Sequence, residues 1–188
     1  IGRVFQNPTV GVAPNMNILE NMSLADNKGK PYGMKFAIDK KRINYYKEEL
    51  KKLNLGLEDK IYNKVNLLSG GQRQALTLIM AVMSNPKILL LDEPFSALDY
   101  QTRQKVNDDV YAIIKSEGKT TIMVTHDIGE AIVMSSKVIV LSKRPASIKK
   151  MQKIHFENSE LTPFEKRGEK EYMEYFSMLW KEFDDDNE

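Results

Sequence analysis

The spacing of apolar residues changes along this chain and divides it into two parts. Between residues 10 and 85, apolar residues recur every three or four positions, which predicts amphipathic helices. One such helix has Asp39 as its candidate N-cap and the inward-facing residues Ile43, Tyr46, Leu50 and Leu53. After Lys87, helical spacing alternates with short continuous apolar runs at 88–91, 121–125 and 137–141. Strands of this kind joined by helices predict a parallel sheet that is covered on both faces.

The end of the chain carries two further elements. Residues 143–156 predict a β-hairpin with Pro145 at its entry. A final helix is predicted from apolar residues at helical spacing, namely Tyr172, Phe176, Leu179 and Phe183. An aromatic stripe of this kind is typical of core packing rather than of a ligand site.

One helix start combines a cap with two glycines, in the stretch Leu68-Ser69-Gly70-Gly71-Gln72-Arg73-Gln74. Ser69 is a favourable N-cap, and the glycines let another molecule approach the backbone. The N–H groups of a helix start can bind an anion such as phosphate. Taken alone, Ser-Gly-Gly favours an ordinary capped helix. Asn85-Pro86 ends this helix, however, and the apolar run that follows leads directly to two carboxylates, Asp92 and Glu93.

Composition narrows the class of protein only broadly. The chain has 188 residues, of which 41% are hydrophobic and 29% charged, as in an ordinary globular domain with a sizeable core. A net charge of +2 is too small to indicate a nucleic-acid partner. The absence of cysteine excludes disulfides and thiolate chemistry. No apolar run approaches the roughly 18 residues that a membrane-spanning helix requires.

With these motifs the chain resembles the ATP-binding cassette (ABC) ATPases. Residues 68–72 resemble the signature motif of that family, and residues 88–93 resemble its Mg²⁺-site strand with the following glutamate. Gln6 resembles the Q-loop glutamine, Asp99 ends a D-loop-like Ser-Ala-Leu-Asp, and His126 resembles the switch histidine. The five motifs follow the order and usual spacing of the family and span nearly the whole chain.

The resemblance implies an α/β fold, namely a partial P-loop NTPase fold of the ABC ATPase type. A parallel sheet flanked by helices is expected, together with a helical subdomain. Residues 1–9 would be the end of the ATP-binding core with the Q-loop, and residues 10–85 the helical subdomain with the signature motif. Residues 86–156 would continue the core, and residues 157–188 would form a C-terminal helical extension.

The resemblance also implies ATP and Mg²⁺ as cofactors and a role for each motif residue. Asp92, with Gln6, would hold Mg²⁺, and Glu93 would act as the general base toward the attacking water. His126 would contact the γ-phosphate. The signature residues would contact the γ-phosphate bound to a second subunit, and Asp99 would lie at the seam of this head-to-tail dimer. The signature residues are Ser69, Gly70, Gly71 and Gln72.

By the same resemblance, the protein is the ATPase subunit of an importer at the cytoplasmic face of the membrane. Its partners would be a second ATPase subunit, transmembrane permease subunits and a solute-binding protein, with no nucleic acid. The C-terminal half resembles nitrate, sulfonate and taurine importer ATPases, whereas the front half resembles a group tied to amino acids. Either one subfamily mixes these features or the chain is a mosaic joined near Leu91.

The sequence contains no G-x-x-x-x-G-K-[ST] segment, the loop that wraps nucleotide phosphates. In the family that loop precedes the Q-loop glutamine, which here is already residue 6. We therefore expect an N-terminally truncated cassette that is inactive alone. One alternative is a non-catalytic fragment that binds a partner. Another is a soluble ABC ATPase acting on nucleic acid or ribosomes. The short span from Gln6 to Ser69 argues against this alternative, because it leaves no room for a long coiled coil.

Overall fold

The structure, a computed structural model, describes residues 1–30, 40–96 and 98–184. Asp39 lies outside these residues, as do Ala97 of the D-loop-like segment and the tail at 185–188, so the predicted cap at Asp39 is untested. The chain forms two compact units, Ile1–Val124 and Thr125–Glu188.

Strands and helices alternate through the second half of the chain, as the apolar pattern predicts. In chain order the elements are β1 (Gly2–Val4), α1 (Ile18–Asp26), α2 (Ile43–Lys51), α3 (Gly70–Met83), β2 (Ile88–Asp92), α4 (Tyr100–Glu117), β3 (Thr120–Val124), α5 (Ile128–Met134), β4 (Lys137–Leu141), β5 (Ile148–Lys153), α6 (Pro163–Lys166) and α7 (Lys170–Asp184). Short 3₁₀ turns precede α2 and α3, at Lys40–Arg42 and Val65–Leu67. The predicted α/β class, a parallel sheet flanked by helices, is confirmed.

The sheet of the first unit has the strand order β1-β2-β3, and both pairs are parallel. Its buried face carries Leu89 and Leu91 of β2, and α3 contacts β1. On the opposite face, Ile122 and Val124 of β3 are 52% and 50% exposed. The prediction of a sheet covered on both faces is therefore wrong at β3 for the described residues. A continuous apolar run does not distinguish the packed face of a strand from the other one.

The third apolar run forms a strand as predicted, but its partner differs from the prediction. β4 pairs antiparallel with β5 in a separate two-stranded sheet, with Ile139 opposite Met151. The predicted hairpin therefore exists, but it starts at β4 rather than at residue 143. Its connection contains the cis peptide bond Arg144-Pro145. Val140 faces the core of the second unit, whereas Ile139 is 48% exposed.

The helices of the first unit share one core, in which α1, α2 and α3 contact one another. The predicted inward face of α2 is confirmed for Tyr46 and Leu50, which are fully buried. Leu53 is also buried but lies beyond the end of the helix, because α2 stops at Lys51 and Asn54 has a positive φ of 50°. The helix is thus shorter than the apolar spacing indicates.

A buried carboxylate connects α1 to α2. Asp26 at the end of α1 is 8% exposed and accepts hydrogen bonds from Lys30 Nζ at 3.0 Å and from Tyr46 Oη at 2.9 Å. Arg42 Nε forms an ion pair with it at 2.5 Å. Burial by itself raises the pKa of Asp26, but the bonds from Lys30 and Tyr46 and the charge of Arg42 outweigh burial and lower it.

Asp26→Asn is expected to destabilise the protein by about 1–2 kcal/mol at pH 7, between the typical values for exposed and buried ion pairs. Because folding lowers the pKa of Asp26, its contribution is complete above the ordinary value of 3.8 and is lost as pH falls through the folded value. Urea denaturation at pH 7 and pH 3 checks this. A difference between variant and wild type that is as large at pH 3 as at pH 7 would contradict it.

The second unit has a separate core between its helices and its hairpin. Ile132 and Leu179 are almost fully buried, and they cluster with Ile128, Val140, Ile154 and Phe156. Tyr172 and Phe176 pack against this cluster, which confirms core packing for that part of the predicted aromatic stripe. Phe176 also stacks on Trp180, which is 53% exposed. Within the described ranges, none of the helices is both long and apolar enough to cross a bilayer.

Candidate functional site

The N-terminus of α3 is closed by its own side chains. Ser69 is the N-cap, and its hydroxyl accepts from the Gln72 amide at 3.2 Å, while Gln72 Oε1 accepts from the Ser69 amide at 3.2 Å. This reciprocal capping box satisfies two backbone donors of the helix start. The predicted cap at Ser69 is therefore confirmed, and Gln72 has a structural role in the chain itself. Ser69 and Gly70 are exposed, so this end of the helix is open to a ligand.

The start of α4 packs directly against the start of α3. A Cβ built on Gly71 would lie 2.5 Å from Thr102 Cγ2 and 3.6 Å from Leu98 Cδ2. Asp99 caps α4 by accepting from the Thr102 amide at 3.0 Å. Hydrogen bonds from the Thr102 side chain and amide lower the pKa of Asp99. The structure thus brings together the signature motif and Asp99, which the sequence separates by about thirty residues.

Each of the two helix starts contains the same internal hydrogen bond, which the sequence analysis missed. Arg73 donates to the Leu68 carbonyl at 3.0 Å, and Arg103 donates to the Leu98 carbonyl at 3.1 Å. In each case the arginine lies five residues after the leucine and four after the cap. The repeated spacing Leu-cap-x-x-x-Arg could have revealed this contact from the sequence.

The carboxyl end of β2 places Asp92 and Glu93 in different backbone conformations. Asp92 ends the strand, whereas Glu93 has a φ of 48°, in the left-handed region that non-glycine residues rarely adopt. The Glu93 amide donates to the Val124 carbonyl at 2.9 Å, and its own carbonyl accepts from Ser96 Oγ at 3.0 Å. These bonds hold the residue in a strained conformation, a feature that concentrates at functional sites.

Gln6 lies at the same edge of the sheet. β1 and β2 are parallel and pair Val4 with Leu91, so the residues that follow both strands emerge side by side. Gln6 itself is exposed in a bend. The carbonyl of Phe5, just before it, accepts a long 3.4 Å bond from Gln74 of α3, which links this bend to the signature helix. Gln74 is another residue that the sequence analysis left without a role.

The donor chemistry at this edge suits a hard cation. Mg²⁺ is bound through one or two carboxylates, waters and substrate phosphates rather than through a full protein cage. The Asp92 side chain is 35% exposed and accepts from Arg3 Nη2 at 2.7 Å. Across the described residues, no group of three or more His, Asp or Glu side chains could hold a metal alone. Asp92 fits a Mg²⁺ ion that shares its other ligands with nucleotide and water.

His126 belongs to the second unit and is exposed in a bend before α5. Its neighbours fix that bend, because the Asp127 amide donates to Thr125 Oγ1 at 3.0 Å. Asp127 in turn caps α5 through the Glu130 amide, and Thr125 Oγ1 donates to Glu130 Oε2 at 3.0 Å. The switch role of His126 stays a prediction.

Comparison with known proteins agrees with the motifs. The family model described as ABC transporter matches residues 1–96. The tyrosine transport ATP-binding protein of Clostridioides difficile is 41% identical over 143 residues, which are 76% of this chain and 57% of the relative. The taurine import ATP-binding protein TauB of Escherichia coli is 35% identical over 157 residues, which are 82% of this chain and 57% of the relative.

Among solved structures, the dimeric post-hydrolysis state of the ATP-binding cassette MJ0796, bound to ADP and Pi, superposes with a TM-score of 0.65. It is 31% identical, and the match covers 82% of this chain and 63% of that one. The chain belongs to the ABC transporter family, as an ATP-binding domain. It spans about half the length of the curated relatives it matches.

Proposed function

We propose that this chain forms part of the ATP-binding and ATP-hydrolysing subunit of an ABC importer. The observation that supports this most strongly is the sheet edge where Gln6, Asp92 and Glu93 emerge from two paired parallel strands. Phosphoryl transfer to water requires charge neutralisation, a positioned water and a proton acceptor. These three side-chain types supply complementary parts of that chemistry.

Each residue at the edge has a distinct role in this proposal. Asp92, with Gln6, holds Mg²⁺, which when bound neutralises charge on the phosphates. Glu93 accepts the proton of the attacking water, and its left-handed backbone directs its side chain differently from that of Asp92. Gln6 also contacts the attacking water, and its link through Phe5 and Gln74 connects the edge to α3.

The start of α3 serves a second subunit in this proposal. The exposed Ser69 and Gly70, with Gly71 and Gln72, face the γ-phosphate bound to the partner in a head-to-tail dimer. Asp99 lies at the dimer seam, next to them through the packing of Gly71 on Thr102. His126 donates a hydrogen bond to the γ-phosphate from its fixed bend.

The family and the named relatives support a proposal for the partners and the transported solute. We propose that the subunit binds transmembrane permease subunits at the cytoplasmic face of the membrane and works with a solute-binding protein, without nucleic acid. The transported molecule is a small solute. It is either of the class of nitrate, sulfonates and taurine, or an amino acid. A relative named for tyrosine transport, 41% identical, and one named for taurine import, 35% identical, support these two classes.

A hybrid cassette tests the proposal. Because this sequence contains no phosphate-binding loop, we expect the 188-residue chain alone to bind ATP weakly and to hydrolyse it negligibly. Joining a segment that carries a G-x-x-x-x-G-K-[ST] loop ahead of Ile1 should give hydrolysis, measured as phosphate release. A folded hybrid that binds ATP without turnover would favour the non-catalytic alternative. Tight Mg-ATP binding and turnover by the chain alone would contradict the expectation for the isolated chain.

A further inference from the structure

Arg3 is held against the proposed metal-binding carboxylate from two sides. It lies in β1 opposite Leu90 of β2, which places its side chain on the same face of the sheet as Asp92, two residues further on. Its Nη2 donates to Asp92 Oδ2 at 2.7 Å. Its guanidinium also lies over the Phe5 ring, with Cζ 4.7 Å from the ring centroid. The contact with Phe5 orients the guanidinium toward Asp92.

The ion pair between Arg3 and Asp92 contributes little to the stability of the folded protein. The side chains of Arg3 and Asp92 are 49% and 35% exposed, and pairs this accessible to water contribute little to stability. The ion pair matters more for cation binding by Asp92 than for stability. A guanidinium in contact with a carboxylate offsets the negative charge that would attract another cation. A divalent ion on the same carboxylate would also be repelled by Arg3.

We propose that Arg3 is a counter-cation that weakens the binding of free divalent cations to Asp92. Asp92 then binds a divalent ion well only when that ion brings further ligands, as Mg²⁺ bound to nucleotide phosphates does. Arg3 acts through Asp92 and is a positioning residue rather than a catalytic one. The inference rests on the proposed function, because it takes Asp92 as the metal ligand.

Binding of Mn²⁺ to the 188-residue chain without nucleotide tests this, by the loss of the free-ion signal in electron paramagnetic resonance. Arg3→Met should bind Mn²⁺ about tenfold more tightly than wild type. Removing one positive charge roughly 6 Å from a divalent ion in water produces an effect of this size. Arg3→Lys keeps the charge and should stay within about twofold of wild type. Melting curves check that each variant is folded.

Adding Asp92→Asn separates this inference from the proposed function. If Arg3 acts on Asp92, the gain of Arg3→Met should vanish in the double variant. Equal or weaker Mn²⁺ binding by folded Arg3→Met, with Asp92→Asn still reducing binding, would overturn the counter-cation role alone. Mn²⁺ binding that is unaffected by Asp92→Asn in both backgrounds would overturn the metal role of Asp92 as well.

Discussion

Glu93→Gln is expected to lower ATP hydrolysis by the hybrid cassette at least about 100-fold, the lower end of the usual effect of a general base. The amide nearly keeps the size and shape of the carboxylate but cannot accept the proton of the attacking water. ATP binding should therefore persist, and the unhydrolysed nucleotide should trap the dimer. Phosphate release measures hydrolysis, calorimetry measures binding, and gel filtration with Mg-ATP measures the dimer.

The matched control for this variant is Glu48→Gln on the solvent-exposed face of α2. Glu48 is 66% exposed and pairs with Lys51 at 2.6 Å, far in sequence from the proposed site. Both changes remove one negative charge, so a general effect of charge would appear in both. Hydrolysis that survives in Glu93→Gln, or ATP-bound protein that stays monomeric, would show that Glu93 is not the base.

Gly71→Ala is expected to destabilise the protein by about 1–3 kcal/mol, the usual range for overpacking a close contact. The new methyl group would lie 2.5 Å from Thr102 Cγ2, so either the Thr102 side chain must turn or the two helix starts must move apart. The better helix propensity of alanine, about 1 kcal/mol over glycine, offsets only part of this. Because either change would disturb the packing of the signature motif beside Asp99, ATP-dependent dimerisation of the hybrid should weaken too. Urea denaturation and gel filtration measure the two effects.

Thr102→Ser provides the matched partner for a double-mutant cycle. Serine removes Cγ2 but keeps the hydroxyl, and the backbone amide at position 102 still donates to the capping side chain of Asp99. Gly71→Ala should therefore cost less in the Thr102→Ser background, with a coupling of about 0.5 kcal/mol or more. If alanine at position 71 is neutral in wild type, the close packing of the two helix starts does not explain the glycine.

The elements that follow from local chemistry could be predicted from the sequence. Ser69 is recognisable as a cap because it combines a short hydroxyl side chain with Gln72 three positions later. The run at 88–91 is recognisable as a strand because continuous apolar residues end at a carboxylate pair. The motif residues of the candidate site follow from such local patterns and from their order.

The contacts that depend on register or on pairing could not be predicted. Arg3 meets Asp92 only because β1 and β2 pair in one particular register, 89 positions apart in sequence. The partner of β4 was missed because an apolar run predicts a strand but not its neighbour. The positive φ of Glu93 has no sequence pattern, since glutamate is an unfavourable residue for that conformation.

The conformation of Glu93 also has a consequence for selection. A left-handed glutamate costs about 1–2 kcal/mol, whereas glycine adopts this conformation without penalty. Random variants enriched only for heat resistance should therefore accumulate Gly or Asn at position 93, and each such variant loses the carboxylate. Under the role proposed for Glu93, stability and chemistry favour different residues at this position, and a requirement for turnover would retain the glutamate.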